Sequence, residues 1–317
     1  MAGGFPYVMR TRRTKSSSNP VLSDEHRSVL LHEAIEALGI KPESVVVDAT
    51  IGGAGHSKEI VSKLDRGGVF IGIDRDADSI QRARVVLKGA KAKVYLFENN
   101  FRNVENILDT EKIDKIDACI FDLGWSSYHL KSGRGFSFKE DEPLIMTYAK
   151  NIDENAITAK KIVNEWAKES IADILWGWGE ERFSRRIAKS IVEAREKEEI
   201  TSTYQLVDII SSSVPKWYRH KKIHPATKTF QALRIAVNDE MGAIEEALNS
   251  LVKRISPNGK MAVITFHSVE DRLVKGMFRK WKEEGIGNVW KLIKPTKEEV
   301  KQNPRSRSAK LRVFEKI

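Results

Sequence analysis

The chain has little cysteine. A single thiol, Cys119, among 317 residues excludes an intrachain disulfide and a cysteine-built zinc site. Its place in the run Ala118-Cys119-Ile120-Phe121 makes it a small buried hydrophobe of a reducing compartment. Long hydrophobic runs are missing too, since no stretch approaches the ~18 uninterrupted apolar residues of a membrane span. No acidic residue precedes Asp24, and no apolar h-region precedes it either, so a secretory signal is not expected. Residues 1–24 carry Arg10, Arg12, Arg13, Lys15 and three consecutive serines. They read as a disordered basic arm; organelle transit peptides share that composition but add an amphipathic stripe not evident here.

Acids are also in deficit over the whole chain, with 54 Lys+Arg against 44 Asp+Glu and a net charge of +10. That excess suits a polyanionic partner, nucleic acid first, although composition alone equally fits a merely soluble surface. An apolar fraction of 41% with 31% charged residues is that of a globular protein, long enough for one sizeable core plus a smaller appended unit. No repeat or low-complexity tract interrupts it beyond the basic arm.

What is present is alternation. Residues 26–38 show helical periodicity, 44–48 read as a short buried strand, and 56–64 as the next helix. Strand 69–74, helix 78–87, strand 94–97, helix 104–108 and strand 118–121 follow. Continuous apolar strands between helices predict an α/β fold with a parallel sheet covered on both faces. From about 150 to 222 the pattern is helical only: Phe183, Ile187 and Ile191 recur every four residues, and Ser202 with Gln205 forms a capping box. An all-helical subdomain inserted into the sheet domain is the expectation, with the sheet domain at 25–135 and 224–317 and the insert at 136–223. Beyond it, 229–248 reads as one helix, 260–266 as a strand, and 289–293 and 311–314 as the last strands.

Three strands end in a carboxylate: Asp48, Asp74 and Asp122. Asp48 leads into Ala49-Thr50-Ile51-Gly52-Gly53-Ala54-Gly55-His56, a glycine-rich turn into a helix, which by itself is weak evidence for a nucleotide-like ligand. Asp74, at the end of the second strand, is placed to accept both hydroxyls of an adenosine ribose. Nicotinamide dinucleotides and S-adenosylmethionine share that geometry. Acids beside the loop favour the sulfonium over a pyrophosphate; Asp48 alone reads equally as a cap of the turn that follows it.

Nine segments in order then resemble the bacterial MraW-type (RsmH) family: HRSVLLHEA at 26–34, DATIGGAGHS at 48–57, GIDRDADSI at 72–80, DLGWSS at 122–127, GRGFSF at 133–138, GEERFSRRIAKSIVEAR at 179–195, HPATKTFQALRIAVNDEM at 224–241, ITFHSVEDRLVK at 264–275 and NPRSRSAKLR at 303–312. The resemblance implies a class I S-adenosylmethionine-dependent methyltransferase (Rossmann-like) sheet with a helical insert. It implies methylation of the exocyclic N4 of a cytidine in the decoding region of 16S rRNA, in the cytoplasm, on the small ribosomal subunit, with no metal and no membrane and with a homodimer left open. By position it implies cofactor contacts at Gly53, Ala54, Gly55, His56, Asp74, Phe101 and Asp122, and at His129, where the family usually has glutamine. Trp125 and Tyr128 replace the usual Val and Pro, and Ile145, Thr147 and Ala149 stand where the family has Asp, Arg and Asp. These departures keep a second class in view, a ribosome-assembly factor that retains the fold without turnover.

Sulfonium chemistry needs positioning more than a strong base. Asp122 is the candidate catalytic residue, as an amine contact. Trp125, Ser126 and Ser127 form the expected lip toward the target base, where Trp125 and Tyr128 either stack on an extruded base or pack on the insert. His267, after the strand 264–266, is a candidate pocket residue, and Phe101 either covers an adenine or joins the core. Arg305 and Arg307, the helix face Arg182, Arg185, Arg186 and Lys189, and the segment Trp217-Tyr218-Arg219-His220-Lys221-Lys222 are candidate RNA contacts.

Overall fold

Val, Ile and Phe runs build the central strands, and their side chains alternate between two apolar layers. The computed structural model describes residues 27–124, 132–149 and 155–317; the basic arm lies outside the described residues. The strands are β1 (Val45–Asp48), β2 (Val69–Asp74), β3 (Lys93–Glu98), β4 (Ile116–Asp122), β5 (Ile255–Thr265), β6 (Gly287–Val289) and β7 (Lys310–Lys316). They form one seven-stranded sheet in the order β3-β2-β1-β4-β5-β7-β6. β1 to β5 run parallel, and β7 is antiparallel to both β5 and β6. Val46, Ala118, Ile120 and Ile264 face one layer, with α1 (Leu31–Leu38), α2 (Gly55–Lys63) and α3 (Ala77–Val86). Val47, Cys119, Phe121 and Val263 face the other, with α4 (Val104–Thr110) and two later helices. This period of two, buried on both sides, is what the apolar runs predict.

A run of helices follows β4, and its core extends past residue 223 to Ala236. Helices α5 (Ala159–Glu165), α6 (Lys168–Gly177), α7 (Ser184–Arg195), α8 (Thr203–Ser213), short α9 (Lys216–Arg219) and α10 (Ala226–Asn238) close around a third core that runs from Phe136 to Ala236. The capping box at Ser202 and Gln205 opens α8 as expected. The helix expected over 229–248 is instead two. Asp239 adopts a left-handed backbone (φ 44°) between α10 and α11 (Glu240–Arg254), and Arg102 holds its carboxylate. α10 therefore packs with the insert, and the chain rejoins the sheet layer at α11, through Ile244, Leu248 and Leu251.

The first helix begins at Leu31 rather than at residue 26, because Leu30 is left-handed (φ 51°). Its amide donates to Glu299 Oε1 (2.8 Å) on α13 (Lys297–Gln302), and Arg27 reaches Gln302. Residues 27–30 thus form a strap tied down by the C-terminal region. β5 leads into α12 (Ser268–Glu283). The strand expected over 289–293 is displaced: β6 ends at Val289, and within 290–293 only Ile293 pairs, in an isolated bridge to Leu311.

Candidate active site

The strand order reverses between β1 and β4, the place where open α/β sheets bind ligands beyond their carboxyl ends. Asp48 and Asp122 end those two strands and Asp74 ends β2, so the fold gathers the three carboxylates that the sequence singles out. They do different work. Asp48 is 1% exposed; it accepts from the Thr50 amide (3.0 Å) and the Ser57 hydroxyl (2.6 Å). It therefore caps the turn and ties β1 to α2, and burial pushes its carboxyl up to about 6. Asp74 accepts one backbone amide on each oxygen, from Asp76 (2.9 Å) and from Gly52 (2.8 Å). An ionised carboxylate has about four lone-pair sites, so both oxygens keep capacity for a diol. Burial raises its pKa as well.

The glycine loop is held by contacts that the pattern of glycines does not reveal. Gly52 takes φ +52° and Ala54 φ +61°, and Ala54 is wholly buried, its amide donating to Ile51 O (2.7 Å); Gly53 is half-buried. Gly55 opens α2 against the strap: a Cβ there would lie 1.9 Å from Ser28 Oγ. His56 is buried at 5% exposure, with Nε2 3.1 Å from the Val29 carbonyl and Nδ1 3.6 Å from Asp122 Oδ2. A carbonyl only accepts, so Nε2 carries the hydrogen and Nδ1 turns its lone pair toward Asp122. Burial lowers the pKa of the ring.

Asp122 is positioned from the backbone outward. Its amide donates to Thr50 Oγ1 (2.6 Å), which links β4 to the glycine loop, and Leu123 N donates to Ile264 O (2.9 Å). Gly124 is exposed, with Phe266 3.1 Å from the position of a Cβ. Trp125, Ser126, Ser127, Tyr128 and His129 lie outside the described residues. Phe101 is half-buried and packs edge-on against Phe121 (5.6 Å between centroids, 83°), forming an apolar wall beyond β3.

The opposite wall joins sheet domain and insert. His267 stands at the end of β5, as expected, but its ring is engaged within the protein. Nδ1 accepts from Glu270 N (3.3 Å), Nε2 lies 3.0 Å from Glu270 Oε1, and both arms of a capping box for α12 are in place. Glu240, His267 and Glu270 bring potential ligand atoms within 4.8 Å of one another. The Arg234 guanidinium stands among them, 2.9 Å from Glu240 and 3.5 Å from His267 Nε2, so the chain itself supplies the positive charge there. Tyr148 donates to Glu240 Oε1 (2.9 Å), and its ring lies 5.7 Å from the Arg75 guanidinium. This joint of Arg234, Glu240, Tyr148 and Asn238, the last bonded to Met146 O (2.8 Å) and Tyr148 N (2.9 Å), has no periodic signature, and sequence reasoning missed it.

The candidate RNA residues fall into two places. Arg305 and Arg307 are exposed on the turn Pro304–Ser308, beside buried Ser306. Asn303 Nδ2 donates to Arg27 O (3.1 Å), so this basic turn sits on the strap that seats His56. Arg182, Arg185, Arg186 and Lys189 are exposed at and before α7, opposite buried Ile187 and Ile191, and the 217–222 segment lies on the insert.

A family model described as the MraW methylase family matches residues 23–317. A curated relative from Acetivibrio thermocellus, named "Ribosomal RNA small subunit methyltransferase H", is 43% identical over 313 residues, covering 92% of this chain and 99% of the relative. One of the same name from Paenibacillus sp. (strain JDR-2) is 44% identical over 318 residues, with 92% and 99% covered. Among solved structures, a putative rRNA methylase from Clostridium thermocellum aligns at 12% identity and a TM-score of 0.45 over 92% of this chain and 99% of that one.

Proposed function

The chain belongs to the MraW methylase family, S-adenosylmethionine-dependent methyltransferases of small-subunit ribosomal RNA, and from that premise we propose that the atom it methylates is the exocyclic N4 of a cytidine in the decoding region of 16S rRNA. Its place of action is then the cytoplasmic small subunit. The observation that carries the reading is the position of Asp122, at the switch point, bound through its amide to the glycine loop (2.6 Å).

The donor set fits the cofactor. The loop carries no Lys or Arg between Asp48 and Lys58 and is flanked by carboxylates, which suits a cation and gives a pyrophosphate no side-chain counter-charge. Asp74 would hold the ribose hydroxyls, Phe101 would face the adenine, and the backbone at Gly53, Ala54 and Gly55 would border the remainder. When bound, the sulfonium supplies an activated methyl group. The chain's own part is then to hold the amine in line and to receive one proton. Asp122 accepts a hydrogen bond from the N4 amine, which orients its lone pair. On transfer the N–C bond would form as the S–C bond breaks, the thioether S-adenosylhomocysteine leaving, and the proton shed by the amine would pass to an Asp122 oxygen. His56 Nδ1, its ring pKa lowered by burial, stands 3.6 Å from Asp122 Oδ2 with a lone pair turned toward it.

Transfer of labelled methyl from S-adenosylmethionine to unmethylated small subunits tests the reading. Wild-type protein incorporates label, and Asp122→Ala loses incorporation while still binding S-adenosylhomocysteine. Cofactor binding by wild type with no incorporation would instead favour the non-catalytic assembly factor.

A further inference from the structure

Helix α9 and the end of the segment before α7 are some 35 residues apart in the chain, yet they meet on the outer face of the insert. Trp217 is 51% exposed there. Its ring is fixed edge-on by Phe183 (6.0 Å, 62°) and Tyr218 (5.7 Å, 88°). Tyr218 is itself pinned by its hydroxyl to buried Glu181 (2.7 Å). Two cations lie over the indole, Arg182 at 5.3 Å and Lys221 at 5.1 Å from its centroid. Both side chains are long and exposed, so each can leave the ring for a phosphate when a base takes its place. Between Asp208 and Asp239 the sequence holds no acidic residue, while Lys216, Arg219, Lys221, Lys222, Lys228 and Arg234 fall inside that interval. Glu181, the nearby acid, has both oxygens engaged, by Tyr218 and by the Phe183 amide (2.9 Å).

We propose that this patch is a docking site for an unpaired RNA strand, in which a base lies on Trp217 and Arg182 and Lys221 take the flanking phosphates. A rigid, half-exposed indole between long cationic side chains is the combination that single-strand binders use, because every base has a π face and every linkage a charge. The inference rests on the methyltransferase reading for its substrate class and names a second contact on it. α10 runs from beside this patch to Arg234 and Asn238 at the joint with Glu240 and Tyr148, 13 residues or about 20 Å. The strand that delivers the target base would thus be held at both ends of α10.

The test uses full-length protein and a fluorescein-labelled single-stranded oligoribonucleotide of about 12 nucleotides, within the usual span of such sites, read by anisotropy over a range of salt concentrations. Trp217→Ala is expected to weaken binding roughly tenfold, Trp217→Phe to retain most of it. Arg182→Gln with Lys221→Gln lowers the slope of log affinity against log salt by about 1.4, that is ~0.7 for each phosphate no longer neutralised. S-adenosylhomocysteine binding remains at wild-type values in all three. Trp217→Phe and the double variant also keep the wild-type melting temperature, while Trp217→Ala, which loses its ring contacts with Phe183 and Tyr218, melts slightly lower, so its intact cofactor binding distinguishes weakened RNA binding from a damaged fold. Equal affinity in Trp217→Ala and wild type, or an unchanged salt slope, overturns the proposal even if methylation proceeds. RNA binding that depends on Trp217 in a chain that methylates no RNA leaves the patch standing and sinks the methyltransferase reading instead.

Discussion

Replacing Gly55 by alanine should damage the protein through Ser28, not through the backbone. The added Cβ would stand 1.9 Å from Ser28 Oγ and 3.1 Å from Ser28 Cβ, and Gly55 itself has no left-handed φ. The hydroxyl has to leave, and the strap moves with it. Overpacking of this kind costs about 1–3 kcal/mol, slightly offset by the better helix propensity of alanine. At about 1.5 °C per kcal/mol for a chain of this size, the melting temperature falls by about 1.5–4.5 °C. The strap also carries the Val29 carbonyl that holds His56, so S-adenosylhomocysteine affinity falls in the same variant. Ser28→Ala removes the clash with Oγ at 1.9 Å and leaves the approach to Cβ at 3.1 Å, which a small shift of the strap relieves. A double-mutant cycle read by thermal denaturation and titration calorimetry should therefore show that Ser28→Ala recovers about 1 kcal/mol or more of the loss. If Gly55→Ala is equally harmful in the wild-type and Ser28→Ala backgrounds, the explanation for this glycine is wrong.

The pH dependence of stability carries the signature of Asp48. Its folded pKa is about 6 against an ordinary 3.8, so the folded chain keeps a proton that the unfolded chain releases. The stabilisation from that proton is complete below about 3.8 and lost as pH rises through about 6, a change of roughly 3 kcal/mol. Asp48→Asn flattens the slope in that window, and denaturant titrations at several pH values that give parallel profiles for variant and wild type would refute this. At the domain joint, Tyr148→Phe loses one hydrogen bond to Glu240, at a cost of about 1–3 kcal/mol. Arg234→Met leaves the half-buried Glu240 carboxylate (14% exposed) without its guanidinium and costs about 3 kcal/mol. A Tyr148→Phe loss equal to that of Arg234→Met would show that the hydroxyl, not the ion pair, holds the joint.

Local pattern carried far in this chain, and failed where tertiary contacts decide. The buried runs at 45–48, 69–74 and 118–121 have the continuous apolar character that only a doubly covered parallel sheet explains, and each became a strand whose alternate residues face opposite layers. The capping box at Ser202 was legible because it is a four-residue device. The break at Asp239 was not, since Thr229 to Leu248 keeps helical periodicity throughout and only Arg102, distant in sequence, marks the corner. Leu30 likewise sits inside a helical pattern but turns left-handed to meet Glu299. At the site, the chemistry-bearing types at the strand ends were visible, whereas Thr50, Ser28 and the Val29 carbonyl act through geometry alone. Asp48 illustrates the limit: the sequence left a cap and a ligand contact open, and the Ser57 and Thr50 bonds make it a cap.

The central claim is best tested on the product. Unmethylated small subunits are incubated with the protein and methyl-deuterated S-adenosylmethionine, the 16S rRNA is digested to nucleosides and to mapped fragments, and both are read by mass spectrometry. The expected result is a deuterated methyl group on N4 of a single decoding-region cytidine, absent with Asp122→Ala. A label on C5, on a ribose 2′-oxygen or on another base would contradict it.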